Sequence, residues 1–319
     1  MSHGRVPSAR ALDPALPVHD EIKRVLREEL QQVRDACEAH GSWEIRMRSE
    51  AIRRARKAVK RFRAVLDLAK GSIDAESQEA MRTAARDLGR RLSPLRDRDV
   101  IMELLARVQK DTSGRKNREA IRLASMVLSA SQAIPTSRDH REDEAIVMAV
   151  GAKIPELAAW LQATDFGKVD RDSVIDRFEK AWRHHRHCFF DRVRDDDDLS
   201  RLHETRKRVI RLQIGLGAIR NVRSKSIRRE IRRLKTVAGT LGRDRDLSLL
   251  EDLITTHADR FPDVEPRARV EAEIRKRRRI LQRDSLRNGR EASRRSPKAA
   301  RHRLETWWKS ASKRPPSGA

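Results

Sequence analysis

A chain of 319 residues with 73 Lys and Arg against 48 Asp and Glu has a formal charge of +25, which points to an anionic partner: nucleic acid, a membrane surface or a soluble polyanion. Two cysteines argue against a disulfide framework, and no apolar run reaches the length of a spanning helix. Arg, Ala, Leu and Glu dominate, Gly and Pro are few, and strand-like alternation is missing, so the expected fold class is all-α. The opening MSHGRVPSARALDPALP lacks the apolar core of a signal peptide, and the simplest expected location is the cytoplasm.

Apolar periodicity predicts helices over 17–40, 42–70, 74–93, 97–110, 114–133 and 139–162. The second contains IRRARKAVKRFRAVL, residues 52–66. Ile45, Ile52, Ala55, Val59, Phe62 and Leu66 recur at the spacing of one buried face. Arg53, Arg56, Lys60 and Arg63 form one cationic stripe, and Arg54, Lys57 and Arg61 form another. No acid lies between Glu50 and Asp67, although like charges at i,i+4 cost a helix a few tenths of a kcal/mol per pair. Such a helix is either a solvated basic face or built to meet a polyanion.

The polar stretch TDFGKVDRDS, residues 164–173, predicts a connection capped by Asp or Ser. A second series follows at 172–193, 197–222, 224–241, 244–258, 265–283 and 300–312. Residues 1–13 and 313–319 are expected to be disordered tails, and RNGREASRRSPKAA at 287–300 to be disordered in part. The two series repeat each other. RRARKAVKRFR at 53–63 and LSPLRDRDV at 92–100 in the first answer to HETRKRVIRLQ at 203–213 and LGRDRDLSL at 241–249 in the second. Cys37 and Cys188 follow the same long period, which means a duplicated half-domain, 14–165 and 166–312, and equivalent positions on the first helix of each half.

A helix of the form His-x-x-Arg-x-x-x-(Lys/Arg)-Arg-Leu-Arg, then Leu-Gly-x-x-Arg-Asp, twice in a basic helical chain, resembles the CHAD (conserved histidine α-helical domain) family over roughly residues 15–312. The resemblance implies two antiparallel helical bundles related by a pseudo-twofold axis. It also implies non-catalytic binding of inorganic polyphosphate in a basic groove, association with polyphosphate granules, and no cofactor. In the first half Arg53 stands at the family's histidine position, Phe62 replaces Leu and Ser93 replaces Gly, while Arg56, Lys60, Arg61, Arg63 and Arg96-Asp97 fit. In the second half His203, Arg206, Arg211, Leu212, Leu241-Gly242 and Arg245-Asp246 fit, but Ile210 and Gln213 stand where bases are expected. The first half is therefore expected to supply more of the phosphate contacts.

The expected polyphosphate track comprises Arg53, Arg56, Lys57, Lys60, Arg61, Arg63 and Arg96, with His203, Arg206, Lys207, Arg211 and Arg245 from the second half. Arg82 and Arg86, and Arg228, Arg232 and Lys235, are candidate walls. From Arg53 to Arg63 the first stripe spans about 15 Å of helix. Asp97 and Asp246 either hold Arg or His side chains in place or complement a helix dipole. His203 is either a phosphate donor whose pKa a polyanion raises or a neutral histidine of the bundle interface.

The alternative partner is nucleic acid, bound without sequence preference through the same helices. Aromatic content of 3% with no Tyr disfavours base stacking, and Trp307-Trp308 are expected to pack against the second bundle. WRHHRHC at 182–188 places His184, His187 and Cys188 on one helical face, but nothing nearby completes a metal set, so no metal is expected. EAEIR at 271–275 reads as charged helix, and DDDD at 195–198 as an N-terminal cap. No Gly-rich phosphate loop or nucleophile-base pair stands out. The bundle cores consume the amphipathic faces, so no membrane partner is expected. The oligomeric state is not legible.

Overall fold

The computed structural model describes residues 10–39, 45–130, 140–190 and 199–313, and its regular structure there is helical, without strands. A first bundle joins α1 (Val18–Glu38), α2 (Ile45–Leu66), α3 (Ala75–Arg91), α6 (His140–Ala152) and α7 (Ile154–Ala163). A second joins α8 (Arg171–Phe190), α9 (Leu199–Ala218), α10 (Ser224–Thr256), α11 (Val264–Ala292) and α12 (Pro297–Ala311). Helix α2 packs on α9, and this contact merges the two cores into one. On α2 the predicted face is the buried one: Ile52, Ala55, Val59, Phe62 and Leu66 are each at most 3% exposed.

The sequence halves are not the units of packing throughout. Helices α4 (Pro94–Lys110) and α5 (Arg115–Ala130) leave their own half and meet α10 and α11. Leu104, Leu105, Ile121 and Leu128 there share a separate core with Leu250, Ile254 and Ile274. Periodicity marks which face of a helix is apolar but not which partner covers it.

Proline explains where the repeats diverge. Pro94 opens α4, and the chain breaks at Leu92-Ser93 because proline lacks the N–H that a continuing helix needs. At the matching place the second half has Arg243, and α10 runs unbroken for 33 residues where two helices were expected. Pro155 likewise splits the expected helix 139–162 into α6 and α7. The connection at 164–173 is capped as expected: Ser173 N–H donates to Asp170 Oδ1 at 2.8 Å and Asp170 N–H to Ser173 Oγ at 3.0 Å.

Two segments expected to be disordered are built in. Leu12 is fully buried and its N–H donates to the carbonyl of Ala218 at 2.7 Å. The Asp13 N–H donates to buried Glu21, and Arg24 donates to the Ala11 carbonyl. The tail expectation for 1–13 therefore fails at residues 10–13, and residues 1–9 and 314–319 lie outside the described residues. The stretch 287–300 forms the end of α11, a short turn and the start of α12, because Gly289 lets α11 approach the ring of Phe189. A Cβ at Gly289 would overlap that ring. Trp308, 1% exposed, joins the main core as expected, and the Arg303 guanidinium lies 4.8 Å from the Trp307 ring centre.

His185 on α8 is completely buried, edge-on to Phe189 at 5.1 Å. Burial pushes its pKa down to about 4. The folded state thus keeps His185 neutral while the unfolded chain takes up a proton near pH 6.5. Its stabilising contribution is intact above that value and is lost as pH falls toward 4, about 3 kcal/mol in all. Urea unfolding of the wild type and of His185→Leu across this window is expected to show a steeper loss in the wild type, because His184 and His203, also held below the ordinary value, keep part of the slope in the variant.

Candidate anion groove

Where α2 meets α9, with α1 and α10 at the sides, the helices enclose a cavity of about 270 Å³. Lys57, Lys60 and Arg61 enter from α2, successive turns of one cationic helix. Arg220 enters from the turn after α9 and Arg10 from the N-terminal segment, whose Nη2 also donates to Gln32 at 2.6 Å. The α9 wall is Ile210, Gln213, Ile214 and Gly217, so its side chains add no charge. Five cations thus face a single lining carboxylate, Glu29.

The electrostatics record this imbalance. Arg220 is held below the usual guanidinium range, first by burial and then by repulsion from Arg61, Arg228 and Arg10. Its buried Nε has no hydrogen-bond partner among the described residues. Glu29 is 2% exposed, and its Oε1 lies 3.5 Å from Arg61 Nη1 while Oε2 has no such partner. Burial raises its pKa, against the pull of Arg61, Arg10 and Lys57.

The two stripes of α2 divide between different tasks. Arg53 is exposed and ion-paired with Glu50, so it is not directed into the cavity. Arg56 Nη1 donates to the Leu92 carbonyl at 2.7 Å, satisfying the frayed end of α3. Arg63 is partly buried, and burial followed by repulsion from Arg211 lowers its pKa against the pull of Asp67, with smaller repulsion from Arg82 and Arg86. The expected walls Arg82 and Arg86 do not line the cavity: Arg82 lies 3.3 Å from Glu79 and Arg86 3.9 Å from Asp87 on their own helix, within electrostatic reach of Arg63. Arg228 acts on Arg220 electrostatically, whereas Arg232 and Lys235 are exposed on α10, and none of the three lines the cavity.

His203 lies within electrostatic reach of Arg206, Lys207 and Arg245, and of Glu204, which is 3.5 Å from Lys207. Partial burial, then Arg245, Lys207 and Arg206, keep His203 below its ordinary pKa, and its buried Nδ1 has no hydrogen-bond partner among the described residues. Gly242 lies beside Arg206, and a Cβ there would stand in ordinary contact with its Nε, at 3.6 Å. The side chains of Arg96 and Asp97 lie outside the described residues. On α10 Asp244, 3% exposed, holds Arg278 at 3.3 Å and Gln282 at 3.1 Å. Asp246 is partly buried.

Among the described residues no group of three His, Cys, Asp or Glu is placed to hold a metal. His184 is exposed, Cys188 is buried and Cys37 is half-buried. DDDD at 195–198 lies outside the described residues. No helix among the described residues is long and apolar enough to cross a membrane.

The family model for the CHAD domain matches residues 24–255, which span both copies of the repeat and both helices of the groove. The chain belongs to the CHAD family. Its structure is similar to that of the CHAD domain from the plant Ricinus communis, with TM-score 0.56, 20% identity, and coverage of 98% of this chain and 99% of that one. It is also similar to PptA from Streptomyces chartreusis, with TM-score 0.54, 16% identity, and coverage of 92% and 100%. No curated protein matches by sequence. This CHAD domain places its cations unevenly: Ile210 and Gln213 leave the cavity's charge to α2, Arg10 and Arg220. Arg10 and Arg220 escaped sequence reasoning, the first because it sits in an apparent tail and the second because it lies beyond the motif.

Proposed function

We propose that this CHAD domain binds inorganic polyphosphate non-covalently, without catalysis, in the groove between α2 and α9. The observation that carries the reading is the cavity in which Lys57, Lys60, Arg61, Arg10 and Arg220 surround one carboxylate. Polyphosphate carries negative charge on each internal phosphate and has no bases, so it asks for spaced cations and no stacking platform. Arg supplies forked donors and Lys a mobile point charge. Arg63 on α2 and His203 and Arg206 on α9 extend the basic surface along the same two helices, with Arg82 and Arg86 on α3 and Arg245 on α10 beside them. Granule association and a cytoplasmic location belong to this reading.

Nucleic acid is the weaker reading. Trp182 and Trp308 are buried, and exposed Phe190 lies under the Arg186 guanidinium, 4.1 Å from the ring centre. The two buried rings offer no face to a base, and the exposed one already carries a guanidinium. Isothermal titration with long-chain polyphosphate tests the assignment.

Glu29 sharpens that test. An incoming polyanion raises the pKa of this buried carboxylate further, so binding takes up a proton and strengthens as pH falls through that pKa. Glu29→Gln is expected to bind polyphosphate about three- to tenfold more tightly at pH 8 and to lose most of this pH dependence. Calorimetry in two buffers of different ionisation enthalpy measures the proton uptake directly.

A further inference from the structure

A second cationic cavity lies between α8, α9 and the turn after α2, with a volume of about 80 Å³. Arg177 and Lys180 line it from α8, and Arg208 and Arg211 from α9. Leu68, Phe178 and Leu212 form an apolar floor, and Asp67 is the one lining carboxylate. Arg211, expected in the chain track, belongs here. It shares no lining residue with the groove.

Two guanidiniums are already fixed in place. Arg211 Nε lies 2.9 Å from Asp67, and Arg177 Nε donates to the Asp67 backbone carbonyl at 3.2 Å. Arg208 Nε lies 3.5 Å from Glu204 outside the lining, so Asp67 is left to face Arg177, Lys180 and Arg211, and His184 also lines the cavity. Its pKa is lowered first by burial and then by Arg208 and Arg177. A few convergent polar groups over an apolar floor are the usual make-up of a small-ligand site.

We propose that this cavity is a second anion site, one that takes a single phosphate end, as in pyrophosphate or the terminal phosphates of a nucleotide. Size separates it from the groove. At less than a third of the groove's volume, it has no room for a run of polyphosphate chain, whereas a phosphate end fits among forked donors. The proposal stands on residues that the polyphosphate reading does not use at its cavity, so the two succeed or fail separately.

The experiment titrates the full chain with pyrophosphate, a nucleoside diphosphate and long-chain polyphosphate by calorimetry, following the His184 ring protons by NMR. Pyrophosphate is expected to raise the His184 pKa in the wild type. Lys180→Glu, a reversal at an exposed position that leaves the fold intact, and Lys180→Gln/Arg208→Gln are each expected to weaken pyrophosphate by at least about tenfold. Long-chain affinity is expected to change less than about threefold in the double Gln variant. A nucleoside diphosphate that binds more tightly than pyrophosphate identifies a nucleotide source, with the base outside the cavity; equal affinity identifies the phosphate end alone. Unchanged pyrophosphate affinity in both variants, with an unmoved His184 signal, overturns the proposal. So does loss of pyrophosphate binding in a groove variant, Lys57→Gln/Lys60→Gln/Arg61→Gln. Pyrophosphate binding without long-chain binding leaves this site standing and removes the polyphosphate reading instead.

Discussion

Lys57→Gln/Lys60→Gln/Arg61→Gln is expected to lower affinity for long-chain polyphosphate by about a hundredfold. All three side chains line the groove and share one helix, so each loses its phosphate contact together with the others. At about 1 kcal/mol per contact, three give about 3 kcal/mol, which is about two decades. The fold is expected to survive. Lys57 is exposed, Lys60 and Arg61 are partly so, and the change relieves the i,i+4 repulsion between 57 and 61. Arg61 is also an ion-pair partner of Glu29, so the same triple change is made in the Glu29→Gln background to separate binding from a stranded carboxylate. Arg232→Gln/Lys235→Gln removes two exposed charges from α10 outside the groove and is expected to cost less than about threefold. Circular dichroism checks the fold in each case. Equal losses in the groove and α10 variants contradict the assignment and make the charge generic.

Gly289→Ala is expected to destabilise the protein by about 3 kcal/mol, the upper end of the usual cost of overpacking. The added methyl overlaps the ring of Phe189, which is 1% exposed and has no free direction in which to move. Urea unfolding is the measurement, with the midpoint shifted and the slope unchanged. Phe189→Leu in the same chain makes room for the methyl, so the double variant is expected to be more stable than the sum of the two single losses predicts. A loss below about 1 kcal/mol in Gly289→Ala means that α11 slides freely over α8 and that the close approach has little weight.

Much of the fold is legible because α2 advertises its buried face. The spacing from Ile52 to Leu66 is a physical period, and the repeat supplied the second half by analogy. Legibility ended where a long-range contact decides the outcome. Residues 10–13 look like a polar tail, but Glu21, Arg24 and the Ala218 carbonyl fix them from elsewhere in the chain. Residues 287–300 look breakable for their Gly, Ser and Pro, yet a glycine that would weaken an isolated helix here permits one to dock. The meeting of α4 and α5 with α10 and α11 left no local signal. In the site, motif positions were found more surely than their tasks. Arg56 is occupied by a backbone carbonyl and Arg53 by Glu50, while Arg10 and Arg220 reach the groove from outside the motif.

The central claim is a shaped phosphate groove rather than diffuse charge. Its most direct test compares long-chain polyphosphate with single-stranded DNA of matched charge, side by side across a salt series. Counterion release makes any purely charge-driven binding fall steeply with salt. The groove predicts that polyphosphate stays bound at salt concentrations that abolish DNA binding. Two affinities that fall together with the same slope contradict it.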